Sequence, residues 1–345
     1  MSNKKVTIQI VSWNGMRYLP HCLHSIFEQT CKDFQVLMVD NNSRDESVSF
    51  VRKNYPEVAV LQNNRNLNFA KANNQGIKLL HTPYLVLCNQ DIVLESDWLE
   101  KMLAIAESEK YRQFGSFGGK LLRLKMPEGE APELNKTEII DSCGLKVLKS
   151  HRVVELGGGE PSSGFVENSE VFGQSGALVL YRRAALDDSL LQGPDHGSGD
   201  YFDSDFSFYK EDVDLAWRLQ LLGWPSLFVA SAIAYHARTF AGSEKKKIIE
   251  VIKNRRSQSK LARFNSYRNH FFVLLTDDFL SNLLIFSPQI FWYELRKFLY
   301  LLFMETASLR ALFGLLAAWP KISRKRKQIF SRVAVDAKYI RSWFK

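Results

Sequence analysis

A chain of 345 residues, 46% hydrophobic and 24% charged, is neither a disordered polymer nor a stack of membrane spans, and it is long enough for one large domain or two smaller ones. Its four cysteines, Cys22, Cys31, Cys88 and Cys143, include no Cys-x-x-Cys pair, which excludes a disulfide-stapled scaffold and leaves reduced thiols in a cytosolic compartment as the expectation. The net charge of +9 is split: Lys245–Lys345 carries 21 lysines and arginines against 6 acids, so +15 sits on the tail and −6 on the first 244 residues, a mildly acidic body with a basic end suited to something anionic.

The first eleven residues, MSNKKVTIQIV, start basic, but the apolar stretch is too short for a secretion signal and alternates as a strand does. Val6–Ser12 is predicted as the first strand, and Tyr18–Glu28 as an amphipathic helix with Leu19, Leu23 and Ile26 at helical spacing. Phe34–Val39 reads as a buried strand ending at Asp40. Ser43-Arg44-Asp45-Glu46 has capping-box spacing and should open a helix to about Asn54. Val58–Leu61 is a third strand, Phe69–Leu80 a helix, Tyr84–Cys88 a fourth strand, and Ser96 or Asp97 caps a helix through Ala106.

Strands alternating with helices at this pace imply an α/β fold, Rossmann-like, with a mostly parallel central sheet covered on both faces. Ligands in such sheets bind beyond the carboxyl ends of the strands. Three polar clusters stand at those ends: Ser12-Trp13-Asn14, Asp40-Asn41-Asn42-Ser43 and Asn89-Gln90-Asp91. Asp91, at the end of a buried apolar strand, either caps the next turn or holds something positive.

Residues 110–200 are less regular. Phe117–Leu124, Ile139–Asp141, Leu145–Leu148 and Ala177–Tyr181 look like strands, and Gly157–Gly159 and Gln192–Asp200 like flexible loops. Val213–Leu222 is a helix stopped by Gly223 and Pro225, Ser226–Val229 is a strand, and His236 follows it. From residue 244 the pattern turns helical, dividing the chain into 1–243 and a basic, amphipathic helical region, 244–345. Phe279–Tyr293 is its longest charge-free run, too short to cross a bilayer. Its apolar faces, Trp292, Tyr293, Tyr300 and Trp319, and the basic run Lys321–Lys327 fit helices lying on an anionic membrane surface, the favoured reading; the alternative is a helical packing domain or a dimer interface with a solvated basic end. The tail carries no nucleic-acid reading motif, so no nucleic-acid partner is expected, while an oligomer remains compatible with it.

There is no Walker lysine motif, no Gly-x-Gly-x-x-Gly after the first strand and no Gly-x-Ser-x-Gly, which argues against a P-loop NTPase, an ordinary dinucleotide oxidoreductase and a serine hydrolase. VSWNG (11–15), VDNNSRD (39–45), NLNFAKANNQG (66–76), CNQD (88–91), GQSGALVLYRR (173–183) and FYKEDVDLAWRLQLLGW (208–224) together resemble family 2 glycosyltransferases of the GT-A fold, nearest the bacterial rhamnosyltransferase-like subgroup. The resemblance runs in order over residues 5–240.

That resemblance implies an inverting transfer of a sugar from a nucleotide-diphosphate donor, dTDP-rhamnose first among them, to a lipid-linked or oligosaccharide acceptor in cell-surface glycan assembly, with the enzyme peripheral at the inner face of the cell membrane. Galactofuranosyl, glucosyl and N-acetylglucosaminyl transferases are alternatives within the fold, and a non-catalytic sugar-nucleotide binder is the alternative outside it. The departing diphosphate calls for a divalent cation, Mg2+ or Mn2+, and the resemblance places Asp91 and His236 on it. Asn89 stands at the first aspartate of the family's Asp-x-Asp motif and brings no charge. For the nucleotide sugar it marks Ser12, Asn14, Asp40, Asn68, Lys71, Asn73 and Asn89, with Asp40 accepting from the imide N–H of uracil or thymine. Asn68 replaces the family's usual glycine, and asparagine tolerates positive φ best among the other residues. The acceptor hydroxyl needs a base; the resemblance marks Asp212, with Glu211 second, above an acceptor loop holding Ser175 and Gly176. Acids also suit a helix N-terminus by themselves.

Overall fold

A computed structural model describes residues 4–126, 134–193, 196, 197, 199–207, 209–237 and 260–345. The strands are β1 (Val6–Ser12), β2 (Phe34–Asp40), β3 (Ala59–Gln62), β4 (Tyr84–Asn89), β5 (Ile92–Leu94), β6 (Ser116–Lys125), β7 (Asn135–Ser142), β8 (Leu145–Val147), β9 (Val153–Glu155), β10 (Ser169–Val171), β11 (Leu178–Arg182) and β12 (Ser226–His236). The helices longer than one turn are α1 (Leu19–Phe27), α2 (Ser47–Asn54), α3 (Asn68–Leu79), α4 (Trp98–Ala106), α5 (Arg183–Asp188), α6 (Glu211–Leu221), α7 (Lys260–Thr276), α8 (Leu280–Ile285), α9 (Ser287–Met304), α10 (Arg310–Phe330) and α11 (Ala337–Ser342).

The main sheet runs β10-β12-β6-β11-β4-β1-β2-β3, with β5 added against β12 and β7 against β6; β8 and β9 form a separate hairpin. Along β12-β6-β11-β4-β1-β2-β3 every strand points the same way except β11. Ser12 lies opposite Asp40, and Val11 opposite Asn89, so the three polar strand ends meet on one edge. Because β11 is antiparallel, its start reaches that same edge, Leu178 opposite Cys88, and carries Gln174–Gly176 there.

Helices cover both faces. On one, Ile8, Ile10 and Val86 pack against Leu19, Leu23 and Ile26 of α1 and Trp98, Leu99 and Met102 of α4. On the other, Leu85, Leu87 and Val179 meet Ile77 of α3 and Leu215 and Leu219 of α6. Each such side chain, fully buried, contributes about 1.5–3 kcal/mol. The alternation in β1 has a second reason: Thr7 and Gln9 are buried too, Thr7 bonded to Thr82 Oγ1 at 2.8 Å and Gln9 Nε2 donating to Asn73 Oδ1 at 2.7 Å.

Several expectations shift. Ser43 opens no capping box: its hydroxyl accepts from Asn14 N, and Asp45 Oδ1 takes the Ser47 N–H ahead of α2. The Gly157–Gly159 segment is a hydrogen-bonded turn, Gly159 N donating to Ile140 O and Glu160 N to Gly157 O. The Gln192–Asp200 loop is closed by paired backbone bonds between Leu191 and Asp200; residues 194, 195 and 198 lie outside the described residues. The strand from Ser226 continues to His236 through an irregularity between Val229 and Ile233, because β5 pairs with its far end. All four cysteines are free.

The start of the helical tail, residues 238–259, lies outside the described residues. Pro288 falls in the first turn of α9, where it has no helix bond to break, and so separates α8 from α9. Phe272, Phe286, Ile322, Ile329, Ile340 and Phe344 share one core with Val213 and Trp217 of α6 and Val147 of β8. The basic run does not simply face outward: the buried Lys325 is bonded to Asp203 and Asp205, Lys321 Nζ lies 2.5 Å from Asp205 Oδ1, and Arg326 lies over Phe330 while donating to Leu275 O. Leu284, Phe291, Trp292, Phe303, Leu316 and Trp319 are exposed instead. No described helix is long and apolar enough to cross a membrane.

Candidate active site

Asp40 ends β2 fully buried. Its Oδ2 accepts from Ser43 N at 3.1 Å and its Oδ1 has no partner, although a buried acceptor left unmatched is costly. That oxygen is ready for a donor from outside the chain. Ser12, also buried, gives its hydroxyl to Gln90 Oε1 at 2.8 Å, and the same oxygen accepts from Trp13 N. Ser12 therefore ties the β1 and β4 ends together. Asn14, at φ 48°, is likewise a strut: its Oδ1 accepts from Arg44 N. Asn68 holds φ 63°, the left-handed conformation that favours glycine, so the loop keeps its course with a side chain present. Lys71 is exposed on the first turn of α3. Asn73 does not face the donor edge: it is buried, its amide spent on Phe69 O and its Oδ1 on Gln9. Asn74 holds the backbone of Tyr201 and Phe202.

Asp91 and His236 come together because β5, directly after Asp91, pairs with the end of β12. Asp91 Oδ1 stands 3.4 Å from His236 Nε2. On the other side of the ring, Asp141 Oδ2 accepts from His236 Nδ1 at 2.8 Å, which fixes the tautomer and leaves Nε2 facing Asp91. Burial pulls the His236 pKa down, but Asp91 and Asp141 outweigh it and hold it up at about 9. Two ligands at right angles, each roughly 2.0–2.6 Å from a hard cation, stand about 2.8–3.7 Å apart, so the pair fits a divalent ion once the Nε2 proton leaves. Among the described residues no three acids, histidines or cysteines gather to hold a metal by themselves. Asn89, next to this pair, is partly buried, and its backbone N donates to Ala177 O at 2.8 Å.

That bond joins the Asp91–His236 side to the Gln174–Gly176 loop. Gly176 N donates to Asp212 Oδ2 at 3.0 Å, and Val213 N to Asp212 Oδ1 at 2.8 Å. A Cβ on Gly176 would stand 3.1 Å from the Asp212 Cβ, a tight approach that glycine avoids. Ser175 Oγ donates to Glu155 Oε1 at 3.3 Å. Glu211 is buried with Oε2 unpartnered, and burial together with the Asp212 charge pushes its pKa up to about 8. At neutral pH Glu211 is thus mainly protonated, and Asp212 stands next to it with both oxygens accepting backbone N–H groups. Asp214 is bound to Arg218 through two nitrogens and serves the fold. Lys210, half-buried before Glu211, has its ammonium pulled down to about 8 by burial, against the Asp212 charge.

Sequence reasoning passed over Asp141 and Gln90. Asp141 carries the signal seen at Asp40, a carboxylate after an apolar pair near a strand end. Gln90 has no such signal; only the register reveals that it locks β1 to β4.

The Glycosyl transferase family 2 profile matches residues 7–190. Among relatives, the N-acetylglucosaminyl-diphospho-decaprenol L-rhamnosyltransferase of Mycobacterium tuberculosis is 24% identical over 66% of this chain and 74% of its own length. An uncharacterized glycosyltransferase of Bacillus subtilis is 31% identical over 31% of this chain, which spans only 40% of it. Among solved structures, GalNAc-T7 with UDP, GalNAc and Mn2+ superimposes with a TM-score of 0.54 at 15% identity over 68% of this chain and 44% of that one. The mannosyltransferase PcManGT of Pyrobaculum calidifontis with GDP-Man and Mn2+ gives 0.50 at 15% identity over 92% and 76%. The fold is that of the GT-A transferases.

Proposed function

The chain belongs to glycosyltransferase family 2, and from that premise we propose that it is an inverting, cation-dependent transferase moving a sugar, first of all rhamnose from dTDP-rhamnose, to a lipid-linked acceptor in cell-surface glycan assembly. The observation that carries this reading is the single sheet edge holding the Asp91–His236–Asp141 chain, the unmatched Asp40 Oδ1 and the Asp212 carboxylate on Gly176. Asp40 accepts the imide N–H of a thymine or uracil base. Asp91 and His236 would hold Mg2+ or Mn2+, which would supply positive charge to neutralise the departing diphosphate. Asp212 takes the proton of the acceptor hydroxyl as it attacks the anomeric carbon from the face opposite the leaving group, which inverts that centre. Glu211, kept neutral, spares Asp212 a second charge beside it. In this reading residues 1–243 form the catalytic domain and 244–345 a helical region that rests its exposed apolar side on the inner face of the cell membrane.

The rhamnosyl preference draws on the mycobacterial relative, whose name also specifies a lipid-diphosphate acceptor. The test is a donor screen: dTDP-rhamnose, UDP-galactofuranose, UDP-glucose and UDP-N-acetylglucosamine, each with Mn2+ or Mg2+, scored for nucleoside diphosphate release. Preferred turnover of dTDP-rhamnose supports the full reading, turnover of another sugar replaces rhamnose by it, and binding of all donors without turnover contradicts catalysis.

A further inference from the structure

Helix α6, which carries Asp212, starts without a cap of its own. Its N-cap residue, Lys210, makes no side-chain bond to the first turn and stands in left-handed backbone, φ 72° and ψ 8°. Tyr209 before it holds φ 66°. A helix usually starts from an extended Ser, Thr, Asp or Asn whose side chain accepts a first-turn N–H. Two successive non-glycine residues at positive φ, one of them aromatic, form an outlier that surrounding bonds must maintain.

Those bonds come from the tail. Asn269 of α7 is fully buried, and its Nδ2 donates to Tyr209 O at 2.9 Å. That carbonyl belongs to the peptide joining the two left-handed residues. Arg268 orients the amide: its Nε and Nη2 donate to Asn269 Oδ1 at 3.1 and 3.0 Å, so the oxygen faces the guanidinium and the nitrogen is directed to Tyr209 O. Arg268 Nη2 also donates to Asp205 O at 2.6 Å, and Lys321 and Lys325 of α10 are bonded to the Asp205 carboxylate. Tail side chains thus hold both ends of the approach to α6. Asp214 N then donates to Lys210 O at 2.9 Å, starting the helix. Glu211 and Asp212 fall in its first turn, whose N–H groups have no helix partner, so that turn depends on what precedes it.

Resting on Asp212 as the base proposed above, we propose that Asn269 is its positioning residue, holding the Tyr209–Lys210 turn in the left-handed form that delivers the Asp212 carboxylate onto Gly176 N. Asn269→Asp tests this, because it keeps the side chain's shape and its acceptor toward Arg268 but sets a second acceptor against Tyr209 O. Tyr209→Gly should remove the need for the anchor, since glycine takes positive φ without steric cost. Amide hydrogen exchange of the full chain is read by mass spectrometry on peptides covering Gly176, with β1 and β4 as references. In Asn269→Asp, Gly176 should exchange about tenfold faster while β1 and β4 stay unchanged. Adding Tyr209→Gly should bring Gly176 back to within about threefold of wild type, and adding Tyr209→Ala should not. Asn269→Ala, which introduces no charge, should repeat the pattern and covers a folding defect in the first variant. Wild-type exchange at Gly176 in both variants, acceleration spread equally over β1 and β4, or equal recovery with alanine and glycine at 209 would overturn the anchor. With Mn2+ and the donor chosen by the screen, nucleoside diphosphate release by Asn269→Asp should lose about 10–100-fold in kcat at unchanged donor KM, and regain it with Tyr209→Gly. A wild-type rate in Asp212→Asn would remove the base, a failure distinct from unchanged exchange in the Asn269 variants, which removes the anchor alone.

Discussion

Replacing Asp141 by asparagine changes one charge and no volume, and the structure gives its effect a distinctive pH dependence. The wild-type Asp141 Oδ2 accepts from His236 Nδ1 at 2.8 Å inside a buried site, orienting Nε2 toward the position shared with Asp91. Losing such an outer partner typically weakens metal affinity about 10–100-fold, or about 1.4–2.7 kcal/mol. The same carboxylate also helps hold His236 protonated up to about pH 9, and that proton must leave before Nε2 can bind a metal. Wild-type affinity should therefore rise about tenfold per pH unit below 9, while the variant, with a lower histidine pKa, should level off earlier. The two curves start close together near pH 6.5, and the wild type pulls ahead as pH climbs to 8.5. The assay is Mn2+ binding by electron paramagnetic resonance with dTDP present, alongside thermal melts to confirm folding. A wild-type to variant ratio that stays constant across this range, or a wild-type affinity flat with pH, would refute the reasoning.

Asp212→Asn should leave donor affinity nearly intact and lower kcat by about 10²–10⁴; single-turnover kinetics with Glu211→Gln in parallel would reassign the base if only the glutamate variant lost that much. Glu211 also makes a stability prediction. Its folded pKa, about 8, lies above the ordinary 4.5, so the folded state keeps its proton longer and stability falls as pH rises from 4.5 through 8. Glu211→Gln should remove that slope and gain on the order of a few kcal/mol over wild type at pH 8.5, with little difference at pH 4.5; denaturant titrations at the two pH values check it, and equal gains at both would contradict it. For the membrane face, Trp292→Ser combined with Phe303→Ser should abolish flotation with phosphatidylglycerol vesicles, and undiminished flotation would remove these residues from the contact. Truncating the tail is a poorer test, because Ile340 and Phe344 share a core with Trp217.

The parallel part of the fold was legible because its signals are local. Val6–Ser12 has the same limits in sequence and structure, and the polar clusters after β1, β2 and β4 meet as the topology rule requires. Asn68 was also readable, since its φ follows from what asparagine tolerates where a glycine is usual. The errors came from side chains with two uses. Asn73 is in the right turn of α3 but on the wrong side of it, drawn inward by Gln9, and no helical periodicity distinguishes an amide facing a ligand from one satisfying a buried glutamine. Lys325 looked like surface charge because its partners, Asp203 and Asp205, are distant in sequence. Asp141 has a local signal, but its link to the ring of His236 is reached only through the pairing of β6 with both β7 and β12.

The central claim is tested most directly by nucleoside diphosphate release from the preferred donor with Mn2+, comparing wild type, wild type with excess chelator, and Asp91→Ala. The account predicts release in the first case alone, with donor still bound by Asp91→Ala through Asp40. Equal release in all three would contradict the cation site at Asp91 and His236.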